Sequence, residues 1–331
     1  MFPDLGEFKF IESMLAGAAP LRECTPQSRF WLPVGDDCAA FDGWLVTKDL
    51  SVEGSHFRMD WSSPEQAVEK HIVSNVSDIS AMGGVPKVAL FGICVNRAWS
   101  GETRARVARA VADGFARRGI ALIGGDTVSG DCGMFSTTLL GQMEGACDKA
   151  APLLRSGAKP GDGIYVAGTL GKSAAGLWIL MNRPDAAAEF PTLVEYHLAP
   201  RINERCGAVL AGLGVRGACM DISDGLSSEL SHLALSSGVA LEIEEELVPI
   251  DPEVRRLAER FGLDALELAM NGGEEYELLY SSSIKNDILR MNKDLLGDVY
   301  RIGTVKDGSG VCMRTRNGEY VSVKAQAWSH L

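Results

Sequence analysis

Apolar positions recur along this chain with two different periods. From Ser63 to Gly84 the period is helical, with Val68, Ile72, Val76 and Ile79 forming a stripe suited to burial. Ser63 is placed to cap that helix, Pro64 suits its first turn, and Gln66 completes a capping box. Gly83-Gly84 followed by Pro86 ends it. The face opposite the stripe carries His71, Asn75 and Asp78 at i, i+4 and i+7, so Asp78 is predicted to project from a rigid element. A second helix is predicted after Asp224, with Leu226, Leu230 and Leu233 apolar and Gly238 closing it. Strand-like runs at Trp44–Thr47, Lys87–Val95, Ser136–Gly141, Gly163–Ala167, Ala240–Ile243 and Glu277–Tyr280 alternate with amphipathic stretches. The pattern predicts an α/β or α+β fold.

Between two halves of similar size lies Glu144–Gly163, rich in Gly, Pro and Ala. It puts a boundary near residue 148 and gives two domains, 1–148 and 149–331, an organisation that suits 331 residues better than one core. No fixed-period repeat appears. The longest apolar run, Val88 to Val95, is far short of the ~20 residues that span a bilayer. The N-terminus carries acids where a signal peptide would carry basic residues, so a cytoplasmic protein is expected. The net charge of −12 argues against nucleic acid or an anionic membrane as partner. It also means that an anionic ligand would need borrowed positive charge, most simply a divalent metal. The eight cysteines are scattered without a C-x-x-C pair, which excludes a zinc knuckle and fits reduced core thiols.

Acidic residues recur beside Gly or Ser: Gly35-Asp-Asp37, Thr47-Lys-Asp49, Ser77-Asp78, Ile123-Gly-Gly-Asp126 and Asp221-Ile-Ser-Asp224. Most follow a short apolar run, which places them at strand ends or helix termini, where α/β proteins gather ligands. A single such aspartate is an ordinary turn residue or cap. The recurrence favours a shared site for hard cations such as Mg²⁺, with phosphate as the other ligand. A rival lies at Gly168-Thr-Leu-Gly171-Lys172-Ser173, which ends like a Walker A loop; the motif needs Gly at position 166, where Val166 stands, so this is read as a Gly-rich strand-to-helix turn. His56, seven residues past Asp49 on a Gly-containing turn, is the most suggestive histidine, whereas His71 suits a satisfied structural imidazole. Arg155 is either a phosphate ligand or an exposed linker residue, and Trp328 either an edge anchor or an aromatic lid. No Ser-His-Asp or Cys-His arrangement is supported.

Taken in order, these blocks form a pattern. Gly6-Glu-Phe8, Gly35-Asp-Asp37, Thr47-Lys-Asp49 with Glu53-Gly-Ser-His-Phe57, and Asn75 to Gly83 are followed by Ile123-Gly-Gly-Asp-Thr127, Arg155 to Asp162, Asp221-Ile-Ser-Asp-Gly-Leu226 and Gly272-Gly-Glu-Glu-Tyr-Glu-Leu278. The sequence resembles the thiamine-monophosphate kinases, of the aminoimidazole ribonucleotide synthetase-like superfamily, over essentially its whole length. The resemblance implies a two-domain fold: an N-terminal α/β domain whose sheet pairs with a second subunit in a homodimer, and a C-terminal α+β domain. It implies ATP-dependent phosphorylation of thiamine monophosphate to thiamine diphosphate. It further implies that Asp37, Thr47, Asp49, Asp78, Asp126, Asp221 and Asp224, with the backbone of Lys48, hold several Mg²⁺ ions. Asp126, Asp49 and Asp78 would act in catalysis through those ions. Gly125, Asp126, Arg155 and Ser223 would touch ATP, and His56, Glu274 and Trp328 would touch the thiamine substrate. Lys48 stands where the family usually has Thr or Ser, Glu275 where it usually has Asp, and the tail Ala-Trp-Ser-His-Leu331 departs from the usual ending. Alternation along Leu45–Asp49 puts Thr47 and Asp49 on one face and Lys48 on the other. The alternatives are a selenophosphate or aminoimidazole ribonucleotide synthetase-like enzyme, or a nucleotide-binding homologue without activity. Cys24 lacks the Gly-rich setting expected of a selenophosphate synthetase, and a dead homologue should have lost its aspartates.

Overall fold

The computed structural model describes Met14 and residues 31–32, 34–143, 151–284, 288–289 and 292–326. The expected boundary near residue 148, Gly6-Glu-Phe8, Cys24 and Trp328 lie outside the described residues.

Residues 31–143 build a six-stranded sheet in the order β1-β2-β3-β6-β4-β5. Its strands are β1 (Trp31–Leu32), β2 (Ala39–Phe41), β3 (Trp44–Val52), β4 (Gly84–Asn96), β5 (Ala121–Gly130) and β6 (Met134–Met143). Helix α1 (Pro64–Ala81) forms where its local signals put it: the Ser63 hydroxyl accepts from the Gln66 amide and the Gln66 side chain returns to the Ser63 amide. Helix α2 (Gly101–Arg117) carries the chain from β4 to β5, which is why those two strands are parallel. Both helices cover one face of the sheet, where Val68, Ile72, Val76 and Ile79 meet Leu45, Phe91, Phe135 and Leu139.

The second half builds a seven-stranded sheet in the order β13-β12-β9-β11-β7-β10-β8. It comprises β7 (Gly163–Ala167), β8 (Cys219–Asp221), β9 (Ala240–Glu244), β10 (Leu278–Ser282), β11 (Val299–Lys306), β12 (Gly310–Arg314) and β13 (Tyr320–Ser322). Its helices are α3 (Lys172–Asn182), α4 (Pro191–Leu198), α5 (Cys206–Gly212), α6 (Leu226–Ser237), α7 (Pro252–Phe261), α8 (Ala265–Asn271) and the short α9 (Lys293–Leu296). Helix α6 runs between the predicted limits and closes on Gly238 at φ 64. No helix among the described residues is long and apolar enough to cross a membrane.

Two expectations change. The strand pattern missed β1, β2, β5, β8 and β11 to β13, most of them Gly-rich or very short segments that become strands through partners distant in sequence. Helix α1 is buried on nearly all sides rather than along one stripe: His71, Asn75, Ser77 and Ser80 are as buried as the apolar residues. The reason is the second domain. Ala81 of α1 belongs to the apolar cluster of Leu153, Tyr165, Cys206 and Leu210, and Gly207 of α5 lies against the Ser80 carbonyl. Helix α1 therefore lies between the two sheets.

Candidate metal and phosphate site

Three of the aspartates converge. Asp37 in the turn before β2, Asp78 on α1 and Asp221 at the end of β8 each offer a carboxylate oxygen, all within 4.8 Å of one another. Asp78 accepts from the Thr47 hydroxyl on β3, and Asp221 accepts from the Ser77 hydroxyl at 2.5 Å. Asp49, two residues along β3 from Thr47, has its pKa raised by burial, and the nearby Ser74 of α1 partly offsets the rise. The aspartates are thus held from two domains. Asp78 in the last turn of α1 and Asp221 at the end of β8 sit at element ends, as expected of most of these acids, whereas Asp49 lies inside β3, because the site forms where β3 and α1 pack face to face.

Burial, and then mutual repulsion, raises the pKa of these groups. Asp78 is pushed well above the ordinary carboxylate range by burial, then by Asp49, Asp221 and Asp37. Asp221 is pushed up to about 8 by burial and then by Asp37. Asp36, beside Asp37, is raised to about 7 by burial and then by Asp37. Asp37 is raised by burial, although the Arg155 guanidinium contacts it at 2.6 Å. The Asp37 Oδ2 atom is buried with no hydrogen-bond partner among the described residues. A hard divalent cation fits this donor set: it would take the orphaned oxygen and allow the carboxylates to ionise together.

These shifts fix the sign of a pH effect. Each acid binds its proton more tightly in the folded chain than in the unfolded one. The stability they confer is present below about pH 4, the unfolded range, and is lost as pH rises through the folded values. Those values reach about 7 for Asp36 and Glu277 and about 8 for Asp221 and Glu275. In chelator, the Tm is expected to fall between pH 5.5 and pH 8, and saturating Mg²⁺ should reduce the fall. A Tm that rises with pH in chelator would contradict it.

The other expected site residues are placed as follows. Lys48 leaves β3 on the helix-free face, donating to Ser136 Oγ at 2.7 Å, while Thr47 and Asp49 face α1. Arg155 is neither free nor exposed: Nε and Nη2 both bind Asp37, and its amide donates to Asp36. Asp126 stands apart from the three-aspartate cluster. The register runs Asp49, Thr137, Phe91, Gly125 across the sheet, so β5 is three strand spacings, about 14 Å, from Asp49. Gly125 and Asp126 line a separate groove of about 460 Å³ with Phe91, Trp99, Leu122 and Thr127. Gly125 is obligatory there, since a Cβ would fall 1.8 Å from the Phe91 carbonyl oxygen.

Ser223 and Asp224 form the turn into α6, and the buried Glu229 carboxylate accepts from both amides. Against this turn lies the Gly272–Glu277 loop. The Glu274 amide donates to Ser223, that of Tyr276 to Ile222, and that of Ile222 to Glu277. Glu274 and Tyr276 adopt φ of 60° and 56°, a strained region for such side chains and one often found at functional sites. From this loop Glu274 reaches α1, where Lys70 Nζ lies 2.6 Å away. His56 accepts the Val52 amide on Nδ1 at 3.1 Å, and its backbone carbonyl also accepts from Lys70.

Several of these residues were not legible beforehand. Lys70, Ser74 and Ser77 lie at i, i+4 and i+7 on α1, where Lys70 binds Glu274, Ser77 binds Asp221 and Ser74 lies near Asp49. The functional stripe is thus one residue away from His71 and Asn75. The spacing was visible, but nothing local said that acids from the other domain would meet it. His71 is a satisfied core imidazole, within 2.8 Å of both the Ser51 and Thr137 hydroxyls, and burial pushes it down to about 3. The turn that ends in Lys172-Ser173 does not resemble a phosphate loop in use. Its Ser173 amide donates to the Glu275 carboxylate, and Lys172 pairs with Glu277.

Comparison with known proteins agrees with this architecture. Residues 35–143 match the AIR synthase related protein N-terminal domain, and residues 159–314 the corresponding C-terminal domain. A thiamine-monophosphate kinase of Methanopyrus kandleri is 34% identical over 291 residues, covering 87% of this chain and 88% of the relative. One of Aquifex aeolicus is 32% identical over 332 residues, covering 99% and 98%. Among solved structures, AaThiL complexed with AMPPCP and TMP superposes with a TM-score of 0.78 at 30% identity, covering 100% of both chains.

Proposed function

The chain belongs to the AIR synthase related family and within it to the thiamine-monophosphate kinases, and on that premise we propose that it transfers the γ-phosphoryl group of ATP to thiamine monophosphate, giving thiamine diphosphate. The observation that carries the reading is the convergence of Asp37, Asp78 and Asp221 from two domains on one buried point. A homologue without activity would have no reason to keep so costly a cluster.

Asp37, Asp78 and Asp221 would hold Mg²⁺, with Asp49 and Thr47 behind them and Asp224 at the edge of the same turn. Bound there, Mg²⁺ supplies the positive charge that lets two phosphates approach. The chain's own residues do the rest by position. The acceptor phosphate has a second pKa near 6 and is largely dianionic at pH 7, so the protein need not remove a proton from it. That fits a site whose nearby imidazole, His71, is neutral and committed on both nitrogens. Direct transfer without a phospho-enzyme follows. Gly125 and Asp126 on the groove, with Arg155 and Ser223 at the aspartates, serve the ATP end, and Asp126 supplements the metal set. His56 and Glu274 serve the thiamine end, and Trp328 completes it.

The same reading makes the enzyme a cytoplasmic homodimer with its domain boundary near residue 148. Support comes from β5, a ten-residue edge strand exposed almost throughout, and from Leu50, Leu90 and Val128, which are exposed on the same sheet. An edge of that length and apolarity needs a cover. The deciding experiment measures ADP release from Mg-ATP with thiamine monophosphate, with thiamine alone and with aminoimidazole precursors. Release is expected with the first only; release with an aminoimidazole precursor instead would transfer the enzyme to the other branch of the superfamily.

A further inference from the structure

Lys70 is a buried cation that the metal chemistry does not use. Its ammonium bridges two segments from different domains. It lies 2.6 Å from Glu274 Oε2, on the strained loop of the second domain, and 3.1 Å from the His56 carbonyl, on the turn after β3. Those segments carry the two described residues assigned to the thiamine end. His197 also approaches Glu274, at 3.7 Å, but burial holds its pKa far below the ordinary histidine range, so it is neutral there and Lys70 supplies the charge. Lys70 stands on the same face of α1 as Ser77, which holds Asp221. Seven residues of helix separate them, a rise of about 10.5 Å.

We propose that Lys70 is a positioning residue for the thiamine end of the acceptor: it fixes Glu274 and the His56 turn relative to each other and, through α1, relative to the aspartates at the phosphate end. This deepens the kinase reading and rests on it. A buried ion pair seldom repays its desolvation in stability, so a fixed geometry is the better account of why the ammonium is there. A rigid helix then sets the distance between the two ends of the acceptor. Displacing Glu274 should weaken the grip on the thiamine rings and leave the ATP end, with its own groove, unaffected.

The test is steady-state kinetics on the full-length protein with Mg-ATP and thiamine monophosphate. Lys70→Met is expected to raise the KM for thiamine monophosphate about tenfold or more, with the KM for ATP and kcat within about threefold of wild type. Lys70→Arg should recover most of the loss. The double variant Lys70→Met/Glu274→Gln, which leaves no unpaired charge, should be little worse than Glu274→Gln alone if the two act as one unit. It also remains informative should the single variant fold poorly. Equal changes in both KM values, or additive losses in the double variant, would overturn the proposal and make Lys70 a packing residue. A wild-type protein inactive on thiamine monophosphate would instead overturn the kinase reading, so the two failures are distinguishable.

Discussion

Asp78→Asn is expected to lower turnover by about 10²–10³-fold and to leave the fold intact. Asparagine keeps the shape and can still accept from the Thr47 hydroxyl that Asp78 now engages. What it removes is one negative charge from a cluster in which burial and the charges of Asp49, Asp221 and Asp37 already oppose ionisation. The metal-free variant should therefore melt at the same temperature as wild type or slightly higher, since one source of repulsion is gone. The rise in Tm that Mg²⁺ confers on the wild type should shrink at the same time. Turnover, Tm in chelator and Tm in Mg²⁺ together separate loss of a ligand from loss of structure. Near-wild-type turnover at saturating Mg²⁺ would remove Asp78 from the site.

The largest effect on stability is expected from Gly207→Ala. Gly207 is the second residue of α5, where alanine would ordinarily favour the helix by about 1 kcal/mol. Here a Cβ would fall 1.6 Å from the Ser80 carbonyl oxygen and 2.6 Å from its carbon, both of them backbone atoms that cannot rotate away. Overpacking of this kind costs about 1–3 kcal/mol and occasionally more, so the clash outweighs the propensity gain. Gly212, at the other end of the same helix, has nothing within 4 Å of its would-be Cβ. Gly212→Ala should therefore be neutral or slightly stabilising. Denaturant titration of both variants decides the matter, and similar midpoints for the two would show that α5 can withdraw from α1 at little cost.

What could be read in advance was what depends on neighbours in sequence. The capping box at Ser63 and Gln66, the glycine that closes α6, and the turn at Gly168–Ser173 all rest on local backbone chemistry, and each formed as written. The aspartates were legible as a recurrence, but their convergence was not. Asp37, Asp78 and Asp221 meet only because α1 packs against β3 on one side and β8 on the other. The same packing hid Lys70, whose partner Glu274 is 204 residues away. Strand β5 is absent from the sequence pattern because Gly124 and Gly125 weaken any strand signal, and it becomes a strand only by pairing with β4. The groove beside Asp126 follows from that pairing, so it too was out of reach.

The burial of α1 from both sides has a consequence for motion. Many enzymes that handle ATP exclude water by swinging one domain over another about a hinge. A swing here would have to pull α1 away from one of the two cores to which it belongs, breaking the Ser77–Asp221 hydrogen bond and the Lys70–Glu274 pair together. A helix held in that way is an axle rather than a hinge. The site must therefore be close to its working shape before substrates arrive, and any lid over the phosphates must be drawn from surface loops. The suppressed ionisation of the aspartates is then a standing feature of the resting protein, relieved by whatever cation binds first.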